Sequence, residues 1–319
     1  MKVLYGNNST YIDITTKCTS LNAEKIVFIP KGDDARSQLF KEDPIFGVVK
    51  QVIVIDDYQK YRLFDDTEVG VVIKDQYGKY DLSISANDVW RIVKTSSMHP
   101  SQKLQVAHAR IQFDHGSLEE EFPEQIMAMK YIQPTACVLE LGGNVGRNSC
   151  VIASILDDSS KLVVFECDPD IAQQLQHNRD MNTFRFAIEK KALSKRRLIH
   201  RGWDTTPIED TQNIPSGWKM IDTISWGNLQ KKYQHMRFDT LVADCEGALY
   251  YILKDEPGFL ASFHTAIIEN DYFDISHKAF VDSELIRNGF RLVYNEALTD
   301  SWQQHRPCID QFFQTWIKS

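Results

Sequence analysis

Nowhere does the sequence contain the run of roughly 20 apolar residues that a membrane-spanning helix requires, and residues 1–6 lack the long apolar core of a signal peptide. A protein of the cytoplasm is therefore expected. Cysteine pairing is also missing. The six cysteines (Cys18, Cys137, Cys150, Cys167, Cys245 and Cys308) form no Cys-x-x-Cys motif. Four of them sit in or beside apolar strand-like runs, which suits small buried hydrophobes in a reducing compartment and argues against a disulfide framework or a structural zinc. An excess of positive charge is absent too: 36 Lys and Arg stand against 44 Asp and Glu, a formal net charge of −8. That balance excludes a broad phosphate-binding surface, so nucleic acid is not the expected partner. The basic cluster Lys190, Lys191, Lys195, Arg196, Arg197 reads as a solvated edge. No repeat and no low-complexity tract appears.

What is present divides into two textures. Residues 1–98 read as a β-rich accessory domain. Residues 3–5, 11–15, 25–30, 48–55 and 69–74 are β-branched or aromatic runs bounded by turn residues, and Asp75-Gln-Tyr-Gly78-Lys is a hairpin turn leading into 80–84. Residues 32–43 are polar, a loop or short helix. The tyrosines and phenylalanines here (Tyr5, Tyr11, Tyr58, Tyr61, Phe64, Tyr77, Tyr80) are candidates to stack on sugar rings or to pack as strand core. Residues 99–134 read as a helical linker, with helices over 104–112 and 118–131. From residue 135 to 319, strand and helix patterns alternate, the mark of a doubly wound α/β domain. Strands are predicted over 138–141, 162–165, 184–189, 240–243 and 265–268, with helices over 148–156, 170–181, 248–254 and 278–288. A closing strand pair follows over 290–294 and 311–317. Gly289 stands where a glycine ends a helix.

The chemistry concentrates at the predicted strand ends. Val138-Leu-Glu140-Leu-Gly142-Gly143-Asn144-Val-Gly146-Arg147-Asn148 is an apolar run carrying a carboxylate, then a glycine-rich turn, then a helix start. An open α/β sheet builds a nucleotide-sized site at that point. The spacing Gly142, Gly143, Gly146 does not make the Gly-x-Gly-x-x-Gly turn of a dinucleotide site, and Glu140 would repel a pyrophosphate, so S-adenosylmethionine fits better than NAD. Glu166 ends the second strand and suits the ribose hydroxyls. Asp168, before Pro169, suits a helix cap. Asp244 and Glu246 end the fourth strand, and Glu269 and Asp271 the fifth. These acids have two readings. They share a divalent cation, or they divide the roles of base and cofactor anchor; spacing does not choose, and no metal is assigned. His200 is a second candidate base, and Trp203 a candidate stacking surface.

Taken together these blocks resemble the FkbM family of S-adenosylmethionine-dependent methyltransferases over about residues 137–290. The carriers are Val138 to Gly146, Val164-Phe-Glu166-Cys-Asp168-Pro, Asn178 and Asn182 at a helix end, Lys191-Ala192-Leu193-Ser194, Thr223-Ile-Ser225 and Asp244-Cys-Glu246-Gly247. The resemblance implies a class I Rossmann-like fold with a mixed seven-stranded sheet, and methylation of hydroxyls, often on the sugars of a glycan. It implies that Glu140, Gly142, Asn144, Gly146 and Glu166, with Gly143, Asn148, Cys167 and Asp244, surround the cofactor and that Ala192 lies near the adenine. Asp244 and Glu246 would line the transfer site and Glu269 would close it. Ala243 stands where the family carries lysine. The form Asp-Cys-Glu-Gly-Ala-Leu-Tyr-Tyr looks like a sub-branch of large DNA viruses, which would place the protein in a host cytoplasm. The accessory domain would then hold the glycan acceptor or a second subunit. An RNA 2′-O-methyltransferase and a catalytically silent module of the same fold are the rival readings.

Overall fold

The computed structural model describes all residues except 8–9, 21–24, 203, 210–211, 300–306 and 319. Trp203 thus lies outside the described residues. Contacts divide the chain into Met1–Arg110 and Ile111–Ser319. The expected linker 99–134 is not one segment, because helix Pro100–His108 falls in the first unit and helix Phe122–Tyr131 in the second.

The first unit holds two antiparallel sheets. One has the order Thr10–Asp13, Lys2–Asn7, Gln51–Ile55, Tyr61–Phe64; the other runs Ile26–Ile29, Gly70–Lys74, Tyr80–Asp81. Alternation sets the core: Val3 and Tyr5, then Val52 and Val54, turn inward with Val27, Ile29, Phe40, Phe64 and Val72. Tyr5 and Phe64 are therefore core residues and not sugar-stacking surfaces, whereas Tyr58, Tyr61 and Tyr77 are exposed. Three elements went unanticipated, the first being the short helix Thr15–Ser20. Strand Tyr61–Phe64 is a short edge with one buried residue, and helix Ala86–Thr95 is capped by the Ser85 hydroxyl accepting from the Asp88 N–H.

The second unit is built on one large sheet. Its strands, numbered along the chain, are β1 (Val138–Leu141), β2 (Leu162–Phe165), β3 (Ala187–Glu189), β4 (Thr240–Ala243), β5 (Thr265–Glu269), β6 (Phe290–Glu296) and β7 (Phe313–Lys318). They lie in the order β3-β2-β1-β4-β5-β7-β6. β1 to β5 are parallel, and β7 is antiparallel to both β5 and β6. That order, with its reversed seventh strand, is the class I Rossmann-like methyltransferase fold. β1, β2 and β4 are buried at every position, as strands covered on both faces must be. The helices are α1 (Phe122–Tyr131), α2 (Arg147–Ile155), α3 (Pro169–Met181), α4 (Trp226–Lys232), α5 (Ala248–Asp255) and α6 (Ile275–Arg287). Two small sheets are added: Ala192–Leu193 beside Thr223–Ile224, and Leu198–Arg201 between Asp204–Pro207 and Lys219–Ile221. Among the described residues no helix is long and apolar enough to cross a membrane.

This order positions the site. From β1 the chain winds outward to β2 and β3, then returns to β4 on the other side. The connections leaving β1 and β4 diverge, and a crevice opens at the carboxyl ends of those strands.

Candidate functional site

The glycine turn after β1 is shaped by the protein itself. Gly142 has φ +89°, and a Cβ there would lie 1.5 Å from the Asp244 carbonyl oxygen. The tips of β1 and β4 are thus in backbone contact, and Gly142 is what permits it. A Cβ on Gly143 would meet Val164 Cγ1 at 2.3 Å, and one on Gly146 would meet Leu175 Cδ1 at 2.5 Å. At these three positions the missing side chain lets the turn approach β4, β2 and α3. The N–H groups of Gly142 and Gly143 both donate to the Phe165 carbonyl, at 3.0 and 2.8 Å. β2 is drawn in by the same turn.

Glu166 closes the other wall. Its Oε2 accepts from the Asn144 N–H and its Oε1 from the Asp168 N–H, both at 2.8 Å. Burial raises its pKa and these N–H groups pull it back. Each oxygen keeps a lone pair for a further donor. Asp168 caps α3, accepting from the N–H groups of Asp170 and Ile171.

Between these walls the crevice is lined by carboxyl groups. Glu140, in β1, is 2% exposed, and its Oε2 has no hydrogen-bond partner. Burial pushes its pKa up to about 8; the Ser149 hydroxyl opposes this and Glu121 adds to it. Glu121, at the start of α1 with φ +56°, is pushed up to about 7 by burial, against the pull of Arg147 at 2.9 Å. Arg147 also pairs with Glu120. Glu124, 6% exposed in the first turn of α1, has an unpartnered Oε2 and is raised by burial. Asp244 lies just beyond β4 and Glu269 ends β5; both are half-buried. Asp244 is held well above the ordinary carboxylate range by burial, and then by Glu121, Glu124, Glu246 and Glu140. Glu269 is raised by burial, and then by Asp244 and Glu124. Carboxylate oxygens of Glu124, Asp244 and Glu269 lie within 4.8 Å of one another. Glu124 and Glu269 face each other in this group, and their closeness raises the pKa of Glu269 further. Glu246, next to this group, is exposed and adopts φ +50°, a left-handed backbone that is uncommon for a residue with a side chain.

The structure thus brings together Glu140, Gly142, Gly143, Asn144, Gly146, Glu166, Asp244, Glu246 and Glu269. Asn148, in the first turn of α2, is buried with its Oδ1 unpartnered. Cys167 follows Glu166 and bonds Thr205, and Ala192 lies in the small parallel sheet beside Thr223. His200 is placed differently. Its Nε2 is 3.5 Å from Asp168 and its Nδ1 3.1 Å from Thr205. That sets it at the end of β2. His200 is a partner of a helix-capping acid and not of the β4 acids. Glu121 and Glu124 were missed. Pro123 and Glu124 mark a helix start, but nothing local says that this helix packs on β5, β7 and α2.

An array so rich in carboxyl groups, several of them buried, suits a positively charged ligand. No family model and no curated protein sequence matches the chain, so the resemblance to the FkbM family stands on the quoted residues alone. Among solved structures, the chain is similar to a candidate tRNA (m1A22) methyltransferase of Streptococcus pneumoniae in complex with S-adenosyl-L-methionine, at 12% identity over 62% of this chain and 73% of that one, with a TM-score of 0.38. It is similar to a ribosomal protein L11 methylase of Lactobacillus delbrueckii subsp. bulgaricus, at 11% identity over 66% of this chain and 84% of that one, TM-score 0.38. It is also similar to TrmK of M. capricolum in complex with S-adenosyl-homocysteine, at 10% identity over 62% and 66%, TM-score 0.37. The likeness concerns the fold alone.

Proposed function

We propose that this chain is an S-adenosylmethionine-dependent methyltransferase that methylates a hydroxyl, on a sugar of a glycan. The observation that carries the reading is the glycine turn and carboxylate-lined crevice at the reversal of a class I sheet, with the Glu140 Oε2 buried and unpartnered inside it. The cofactor is a cationic nucleoside. It has an ammonium for Glu140, ribose hydroxyls for Glu166, and an adenine edge for Cys167 and Ala192. The turn Gly142-Gly143-Asn144-Val145-Gly146 holds these walls together, and Asn148 offers its free Oδ1.

When bound, the cofactor supplies a methyl group already activated on a sulfonium. The residues of this chain must then align the acceptor, an effect that reaches roughly 7–11 kcal/mol in well-oriented systems. They must also take the hydroxyl proton. Glu246 is exposed at the rim and held in a strained backbone beside Asp244, which makes it the base of choice. A positioned base contributes about 10²–10⁴-fold. Glu246→Gln is therefore expected to lower kcat by roughly 100-fold or more with S-adenosylhomocysteine affinity unchanged. Unchanged turnover would remove Glu246 from this role. Transfer of labelled methyl groups to glycan extracts, beside tRNA and rRNA, tests the acceptor. Label on RNA and none on glycan would replace the sugar with a nucleic acid.

A further inference from the structure

Three carboxyl groups from three separate elements converge at the β4–β5 side of the crevice: Glu124 from α1, Asp244 after β4, and Glu269 at the end of β5. Each contributes an oxygen, and the three oxygens fit inside 4.8 Å. Hard divalent cations bind carboxylate oxygens at about 2.0–2.6 Å, so oxygens on opposite sides of one ion are roughly 4–5 Å apart. The span therefore matches a single ion.

Ionised, these groups repel. A second observation points outward from the cluster to a ligand. Glu124 and the neighbouring Glu140 are 6% and 2% exposed, and each has an Oε2 with no hydrogen-bond partner. Buried carboxylate oxygens are almost always satisfied. Arg147 reaches Glu120 and Glu121, not this trio.

We propose that Glu124, Asp244 and Glu269 form a binding site for one divalent cation of the oxygen-preferring class, such as Mg²⁺ or Mn²⁺. The three side chains supply up to three negative charges and leave the remaining coordination positions to water or to oxygens of a second ligand. Glu166, the ribose candidate, lies at the end of β2, on the far side of β1 from this trio. The ion is thus seated on the acceptor side of the crevice. If the reading given under Proposed function holds, two neighbouring hydroxyls of a sugar would occupy the open positions. The ion would hold that diol against the donor and favour loss of its proton. The binding site itself does not depend on that reading.

The test is calorimetric titration of the full-length protein with Mn²⁺, without and then with saturating S-adenosylhomocysteine. One saturable site is expected, with affinity unchanged by the nucleoside. Glu124→Gln and Glu269→Gln should each weaken Mn²⁺ binding about tenfold or more, whereas Glu284→Gln on α6, which pairs with Arg287, should not. The Tm of each metal-free variant, close to that of the wild type, shows that it folds. Absence of saturable binding up to roughly 1 mM Mn²⁺ would overturn the site. So would wild-type affinity in both glutamine variants. Competition between Mn²⁺ and S-adenosylhomocysteine would overturn it too, by showing that the trio seats the nucleoside's ammonium. Failure to bind the nucleoside with Mn²⁺ binding intact would sink only the proposed function.

Discussion

A single missing atom joins the two halves of the crevice. Gly142 sits at φ +89°, with the space its Cβ would fill taken by the Asp244 carbonyl. Gly142→Ala must both adopt a disfavoured backbone and push the β4 tip away, so a loss of roughly 3–5 kcal/mol is expected in urea unfolding, together with loss of nucleoside binding. Gly227, in α4 with nothing within 4 Å of its virtual Cβ, is the control. Gly227→Ala should be neutral or stabilising by up to about 1 kcal/mol. At the same scale, Glu140 and Glu121 make stability depend on pH. Their native pKa values, about 8 and about 7, lie above those of the unfolded chain. Between the unfolded and native values the native state binds more protons, so stability is greatest at the acid end of that window. It is lost as pH rises through 7 and 8. The slope is at most about 1.4 kcal/mol per pH unit for each group. Urea unfolding of the metal-free protein should show this decline, and Glu140→Gln should flatten it, ending more stable than the wild type at about pH 8.5 and converging with it near pH 4. A flat wild-type profile would mean that neither carboxyl is as buried as it stands here.

Elements whose burial is read by apolar periodicity were legible in the sequence, and those anchored by polar groups were not. β2 is an unbroken apolar run, β1, β4 and β5 are apolar but for Glu140, Thr240, Thr265 and Glu269, and the acids at the strand ends followed directly. The helix Asp33–Phe40 is the opposite case. Its only fully buried side chains are Arg36 and Phe40, so no apolar stripe announces it, and the segment reads as loop or short helix. What fixes it is Arg36, which donates to the carbonyls of Pro30, Lys50, Phe64, Asp65 and Glu68. One guanidinium thereby ties the ends of several strands in the first unit. Arg36→Met would leave those buried acceptors without donors, and a loss of about 3 kcal/mol or more is expected in urea unfolding. Glu124 escaped notice for a related reason. Its position in the first turn of α1 is predictable, but its direction depends on long-range packing of α1 across β5 and β7. His200 stands in the strand Leu198–Arg201, whose hairpin partner Asp204–Pro207 is close in sequence, but its contact with Asp168 is long-range and no local pattern announces it.

Over the whole molecule, the two units have separate cores. One runs through Val3, Val27, Val52 and Phe64; the other runs through Leu139, Val163, Leu241, Ile268 and Trp316. Units with their own cores unfold as separate cooperative blocks unless a large apolar interface couples them. Scanning calorimetry should therefore resolve two transitions, and each ligand or mutation should move the one that contains it. S-adenosylhomocysteine at about 100 times its Kd stabilises its unit by roughly 2.7 kcal/mol. For a block of about 200 residues, 1 kcal/mol shifts Tm by roughly 2–4 °C, so the nucleoside should raise one transition by about 5–11 °C and leave the other in place. Arg36→Met should lower the transition that the nucleoside leaves untouched. A single transition moved by both changes would mean that the units fold as one block, with the cofactor crevice energetically coupled to the β-rich unit.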